Sequence, residues 1–349
     1  MAITIAHPMI KYTVFTSLFL VFALLFSSCG SKNKKPDVSE IELDIQIERF
    51  DREFAQLNGE SIGAKNREWI KKYGSFYSDY MIHMLQVGSP IDTLYMGELL
   101  KGLIAQEDFK ALAAAVGEKY PDMKPHEEEL TQAFKYLKHD FPDYQVPRII
   151  SFFSGFSIQL PIGEDYIGIG LDMFLGENAR FYPELETVIP KYVIRRFAPE
   201  YIVPRVMETV IREELLQESS KDVTGLQLMI YEGKVLYALD ALLDRPEEVK
   251  IGYTEAQLAW AKSHEDEIWA HFVKQKVLDN NKIPALEPYF AEAENTPEFG
   301  AESAPKLGSY IGWQIVRRYM EKHPDVSLKR LFTMDDALVI LQGSDYGRK

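Results

Sequence analysis

Arg148-Ile149-Ile150-Ser151-Phe152-Phe153 and Tyr166-Ile167-Gly168-Ile169-Gly170-Leu171 are two short runs rich in β-branched, aromatic and glycine residues. Pro161 and Gly163-Glu164-Asp165 stand between them, so the stretch predicts two strands joined by a turn. Upstream, Ile41, Leu43, Ile45 and Ile47 alternate with Glu42, Asp44, Gln46 and Glu48, the period of a half-buried strand. The remainder carries helical spacing. Apolar residues recur at i, i+3 and i+4 over 62–86, 93–117 and 125–138, broken by Gly74, by Gly88-Ser89-Pro90 and by Tyr120-Pro121-Asp122. Further helices are predicted over 199–218, 225–243, 254–277, 306–322 and 335–342, with Thr254 and Gln257 spaced as a capping box. Segment 279–305, rich in Pro, Asn, Glu and Ala, reads as a long surface loop. The sum is an α+β protein, mainly α-helical with a small β-sheet. No linker interrupts the body, which predicts a single globular domain over 40–349.

The 349 residues are 46% hydrophobic and 26% charged, which excludes a disordered, collagen-like or disulfide-scaffold chain. Acidic residues outnumber basic ones 53 to 39, for a net charge of -14. Such a surface repels nucleic acid, and no basic stripe offsets it. There is one cysteine, Cys29, and its place explains its scarcity. The apolar run from Val14 to Phe26 is too short to span a bilayer, which needs about 20 residues, but suits the core of a signal peptide. It ends in Phe26-Ser27-Ser28-Cys29, a variant of the lipobox in which a bulky residue and two small ones precede the cysteine to be acylated. Residues 1–28 are therefore expected to be a lipoprotein signal peptide, and 29–39 a lipidated N-terminus with a flexible tether. Acyl chains contribute about 0.8 kcal/mol per buried CH₂, enough for a lasting membrane anchor. The lipid on Cys29 is the only added group expected; no cofactor is. Lys32, Lys34 and Lys35 lie in the tether, where anionic headgroups attract them. The lack of an acidic cluster after Cys29 points to a periplasm-facing protein of the cell envelope.

Catalytic signatures are sparse. Zinc peptidases place two histidines at i and i+4 on a helix with a glutamate beside the first. The nearest stretch here is Arg212-Glu213-Glu214-Leu215-Leu216, with Arg212 and Leu216 at the histidine positions. Neither side chain has a lone pair for a metal. Glu232 follows nineteen residues after Glu213, as a downstream third ligand would. Arg212, Glu213, Leu216 and Glu232 are the candidate positions of a vestigial metal site in a degenerate zinc-peptidase-like fold, but a solvated acidic helix face over a core of Val210, Ile211, Leu215 and Leu216 is the preferred reading. His264 and His271 are two turns apart, about 10 Å along a helix, too far to share one ion unaided, and read as surface histidines. Gly168-Ile169-Gly170 opens no nucleotide loop; it reads as a strand where another backbone comes close. Asp172, Glu164 and Asp165 read as turn and cap residues before metal or acid–base groups. Trp260, Trp269 and Phe272, and likewise Tyr310, Trp313 and Val316, form stripes that read as core, with partner docking as the sharper alternative.

Several long segments resemble the gliding-motility lipoprotein family GldB. They are YIGIGLDMFLG at 166–176, YEGKVLYALDALL at 231–243, YTEAQLAWAKSHEDEIWAHF at 253–272, LGSYIGWQIVRRYM at 307–320 and ILQGSDY at 340–346. The resemblance implies a cell-envelope lipoprotein supporting gliding motility and the protein secretion machinery linked to it, with envelope proteins of that complex as partners. It implies no catalytic residue; only the lipidated cysteine carries over, to Cys29. The alternative is a membrane-anchored hydrolase or pseudo-enzyme of zinc-peptidase descent.

Overall fold

The computed structural model describes residues 35–216 and 223–348. Its sheet has three parallel strands in the order β1 (Ile47–Arg49), β2 (Arg148–Phe152), β3 (Tyr166–Gly170). Ile47 pairs with Ile149, and Ile149 with Ile167. The turn expected between the last two strands exists, but it does not join β2 to β3 as a hairpin. The chain leaves β2, loops round, and returns along the far edge of β3: the amides of Gly168 and Gly170 donate to Pro161 O and Gln159 O at 2.8 Å. Pro161, which has no N–H, is tolerated because this segment is the sheet's edge. At the opposite edge only 47–49 of the alternating stretch pairs as strand. The Ile45 and Ile47 amides instead donate to Thr131 Oγ1 and Glu127 Oε1, both at 2.9 Å, so helix side chains close the exposed edge.

Helices α1 (Phe50–Ala55), α2 (Ile62–Asp79), α3 (Thr93–Ala105), α4 (Glu107–Lys119) and α5 (Lys124–Asp140) pack around the sheet. Gln106, in an extended conformation, splits the predicted 93–117 helix into α3 and α4. The core here is aromatic. The ring of Phe50 lies 5.0–6.0 Å from those of Phe54, Trp69, Tyr73, Phe76, Tyr77 and Tyr80, mostly edge to face, the arrangement the ring quadrupoles favour.

The second half contains α6 (Ile202–Val210), α7 (Gly225–Leu242), α8 (Glu247–Ile251), α9 (Glu255–Ser263), α10 (Glu265–Lys274), α11 (Ile283–Phe290), α12 (Leu307–Lys322), α13 (Leu328–Phe332) and α14 (Ala337–Ser344). The capping box of Thr254 and Gln257 forms at the start of α9. His264 ends α9, so the predicted 254–277 helix is two. Part of the expected 279–305 loop is helical, as α11, and Thr296 and Ser303 within it are buried and bonded to each other. Its Pro-rich composition misleads because Pro284 sits in the first turn of α11, where no amide partner is needed. The axis of this half is α7 against α12. A Cβ on Gly233 would lie 2.3 Å from Gly312 O, and one on Gly312 would lie 1.8 Å from Met229 O, so glycine at both positions lets the two backbones touch. One hydrophobic core runs from Ile45 to Tyr346. No described helix is long and apolar enough to cross a membrane.

Candidate functional site

α6 runs on into a wider π turn over Ile211–Leu215, closed by Leu216 N donating to Ile211 O at 2.8 Å; such widened turns recur at functional sites. Arg212 lies one turn beyond Glu208. Its Nε donates to Glu208 Oε1 at 2.9 Å, and its two terminal nitrogens fork onto both oxygens of Glu232 on α7 at 2.9 and 2.8 Å. This planar two-bond geometry is the strongest form of ion pair. Burial pushes the Glu208 carboxyl up, but Arg212 and then Arg205 outweigh it and hold Glu208 down at about 2.

Behind this pair is a cavity of about 140 Å³. Arg196, Arg205, Arg212, Lys250 and Lys306 line it, against the carboxylates Glu208, Glu232 and Glu292. Arg196 bonds Glu292 at 2.9 Å, and Lys306 bonds Glu292 at 2.9 Å and Ile251 O at 2.6 Å. Burial pulls the Lys306 ammonium down, opposed by Glu292, while Glu292 is raised by burial and lowered further by Lys306 and Arg196. Lys306 has a left-handed backbone, φ 50°, a strained conformation that costs about 1 kcal/mol or more and collects at functional sites. Gly252, with φ +79°, leaves the space Arg196 occupies: a Cβ there would lie 2.8 Å from an Arg196 terminal nitrogen. Arg205 bonds the neutral Gln159 at 3.1 Å. Lys250 is held from outside the cavity by Asp240 at 2.9 Å. Two donors remain. Among the described residues, Arg196 Nε and Ser309 Oγ are buried without a hydrogen-bond partner.

The four positions of the zinc-peptidase pattern separate. Arg212 and Glu232 meet as an ion pair at the cavity wall. Glu213 is exposed, beside a different groove lined by Gln145–Arg148 and Ile162–Asp165. Leu216 is buried in the core, 3% exposed. Among the described residues no group of three or more His, Cys, Asp or Glu is placed to hold a metal. The guanidinium of Arg212 stands between two carboxylates as a covalently attached cation. Cys29 lies outside the described residues.

The other candidates have structural partners, except Glu164, which is exposed beside the groove at 145–148 and 162–165. Fully buried Asp172 accepts from Ser154 N, Ser154 Oγ and Phe156 N at 2.7–2.9 Å, pinning the turn after β2. Asp165 accepts from Ser75 Oγ at 2.5 Å. The histidines, expected on the surface, are half-buried in aromatic contacts. His264 stacks on Trp260 with centroids 4.2 Å apart, and His271 bonds Tyr289 OH at 3.0 Å. Gly170 is where a backbone comes close, since a Cβ would lie 2.6 Å from Ile158 O. Arg196, Arg205, Glu292 and Lys306 escaped the sequence reading. They come from four separate segments, and only the i, i+4 spacing of Glu208 and Arg212 was visible locally.

No curated protein and no solved structure is similar enough to match. A family model described as gliding motility protein GldB matches residues 31–348, nearly the whole chain, and the chain belongs to that family.

Proposed function

We propose that this chain is a lipid-anchored protein of the cell envelope that supports gliding motility through protein partners rather than by catalysis. The observation that carries it is the family match over 31–348. A lipobox at Cys29 supplies the anchor, a signal peptide over 1–28 the export, and the tether over 29–39 holds the globular body, 40–349, off a periplasm-facing membrane. The partners are envelope proteins of the motility complex and of the secretion machinery joined to it. The non-catalytic part of the reading is supported by residue chemistry. The three positions that a zinc peptidase gives to metal ligands hold a guanidinium, a core leucine and a carboxylate already bonded to that guanidinium.

The test is Cys29→Ala in a gliding bacterium carrying this chain as its only copy. The variant is expected to lose membrane partitioning and metabolic labelling with fatty acid, and the cells to lose spreading on agar. A variant that still partitions with membranes and still takes up the label would overturn the anchor. Full spreading by cells without any copy would overturn the motility role.

A further inference from the structure

The cavity behind Arg212 differs in sign from the rest of the molecule. The chain carries -14 overall, yet the cavity wall has more cations than carboxylates. Setting aside Lys250, which shares Asp240 with Arg317, four cations (Arg196, Arg205, Arg212 and Lys306) face Glu208, Glu232 and Glu292. One positive charge is left over across the group; Arg205, which acts on Glu208 from a distance and bonds only the neutral Gln159, is the cation without a direct ion pair among the described residues. The unpartnered groups agree with this count. Arg196, 9% exposed, presents Nε with nothing to accept its hydrogen, and Ser309, 2% exposed, presents a free hydroxyl. Buried donors left unmade are rare in folded proteins because water has been removed and nothing has replaced it. A strained Lys306 and a glycine that makes room for Arg196 hold these groups in place.

We propose that this cavity binds a small oxyanion carrying one negative charge, a carboxylate or a phosphate group. The anion neutralises the unmatched cation and accepts from Arg196 Nε, Ser309 Oγ and Arg205. The space admits such a group: about 140 Å³ holds on the order of ten waters. A cationic or neutral apolar ligand would leave both orphaned donors unmet. The site is independent of the lipid anchor, so a failed Cys29→Ala test leaves it standing.

The full chain, purified in detergent, is titrated by calorimetry with inorganic phosphate and separately with acetate, at constant ionic strength set by chloride. Saturable 1:1 binding of at least one probe is expected, with a matching rise in Tm. Binding of phosphate alone assigns a phosphate-bearing ligand, and binding of acetate alone a carboxylate; both support the site. Arg205→Gln and Arg196→Gln are each expected to weaken binding by about tenfold or more, as loss of a charge-assisted bond does, and Ser309→Ala by several-fold. Should Arg196→Gln fail to fold, Arg205→Gln and Ser309→Ala carry the test. The Arg205 side chain has one hydrogen-bond partner and the Ser309 hydroxyl none. No saturable binding of either anion at tens of millimolar, or unchanged affinity in a folded Arg205→Gln, overturns the proposal.

Discussion

The core beneath the sheet and the cavity behind Arg212 both bury polar side chains, and they treat them in opposite ways. Around Phe50, polar atoms are matched. Tyr73 OH and Trp69 Nε1 reach Glu53 at 2.8 and 2.7 Å, Tyr77 OH reaches Asn66 at 2.9 Å, and Tyr166 OH reaches Asp79 at 2.9 Å. The buried Tyr80 hydroxyl is the exception. Around Arg212, cations exceed carboxylates and two donors are unmet. A region that only has to hold the fold can use polar groups to finish aromatic packing. A region that leaves two buried donors spare around one space, beside an excess of cations, is arranged for something outside the chain.

The comparison breaks most sharply at the cavity's supporting helices. Gly312→Val would drive a branched side chain into the Met229 carbonyl, where even a Cβ would lie at 1.8 Å. Because backbone rather than a flexible side chain is in the way, α7 and α12 must separate. The expected loss is about 5 kcal/mol or outright failure to fold, beyond ordinary overpacking. Circular dichroism and thermal melts measure it. A Tm within a few degrees of wild type would show that the close approach is not needed. On the other side, Phe50→Ala removes the hub of six ring contacts and is expected to cost about 4 kcal/mol, read from denaturant unfolding. Anion binding at the cavity should survive in the folded fraction. If it does not, the two regions are not separable.

These two positions also show what a linear sequence reveals. The α+β class, the strands at 148–153 and 166–171, and most helices were legible, because local apolar periodicity reports which face is buried. The direction of β2 against β3 was not. Pro161 and Gly163 mark a turn, but a turn alone does not say which strand it returns to. The close approach of a backbone at Gly170 was legible as a type of event; the partner, Ile158 O, was not, and at Gly168 the neighbours are the side chains of Phe152 and Pro161. At the site, Glu208 and Arg212 are one helical turn apart and could be paired by spacing. Lys306 and Ser309, at the start of α12, and Arg196, from the segment before α6, reach the same space only through tertiary packing, which no local pattern encodes.

A smaller change tests whether the ion pair or the spare donors define the cavity. Arg212→Met leaves Glu208 and Glu232 facing each other without their shared cation. With side chains 28% and 19% exposed for Arg212 and Glu232, solvent softens the cost to about 2 kcal/mol, below that of a fully buried pair. Adding Glu232→Met removes the stranded carboxylate and is expected to recover most of the loss, a coupling of about 2 kcal/mol in a double-mutant cycle. Strictly additive losses would mean that the fork between Arg212 and Glu232 contributes little.

The smallest effect separates the regions by pH. Asp172, beside the aromatic core, is pushed up by burial, with only neutral donors from Ser154 and Phe156 to oppose it. Its ionised form is thus disfavoured in the folded state, and protonation as pH falls through its raised value favours folding. Glu208 shifts the other way, from an ordinary 4.5 to about 2, because guanidinium charge overcomes burial. A lowered carboxylate gives stability that is fully present above about 4.5 and is lost as pH falls towards 2. Glu208 is 26% exposed, so screening by solvent limits its share to on the order of 1 kcal/mol. Stability measured by urea unfolding between pH 5 and pH 2.5 should therefore fall less steeply in Glu208→Gln than in wild type. Equal slopes would mean that the Arg212 charge does not reach Glu208 in solution. Glu208 would then titrate as an ordinary carboxylate, still ionised at neutral pH, and the pairing of Glu208 with Arg212 would add nothing to the acid stability of the cavity wall.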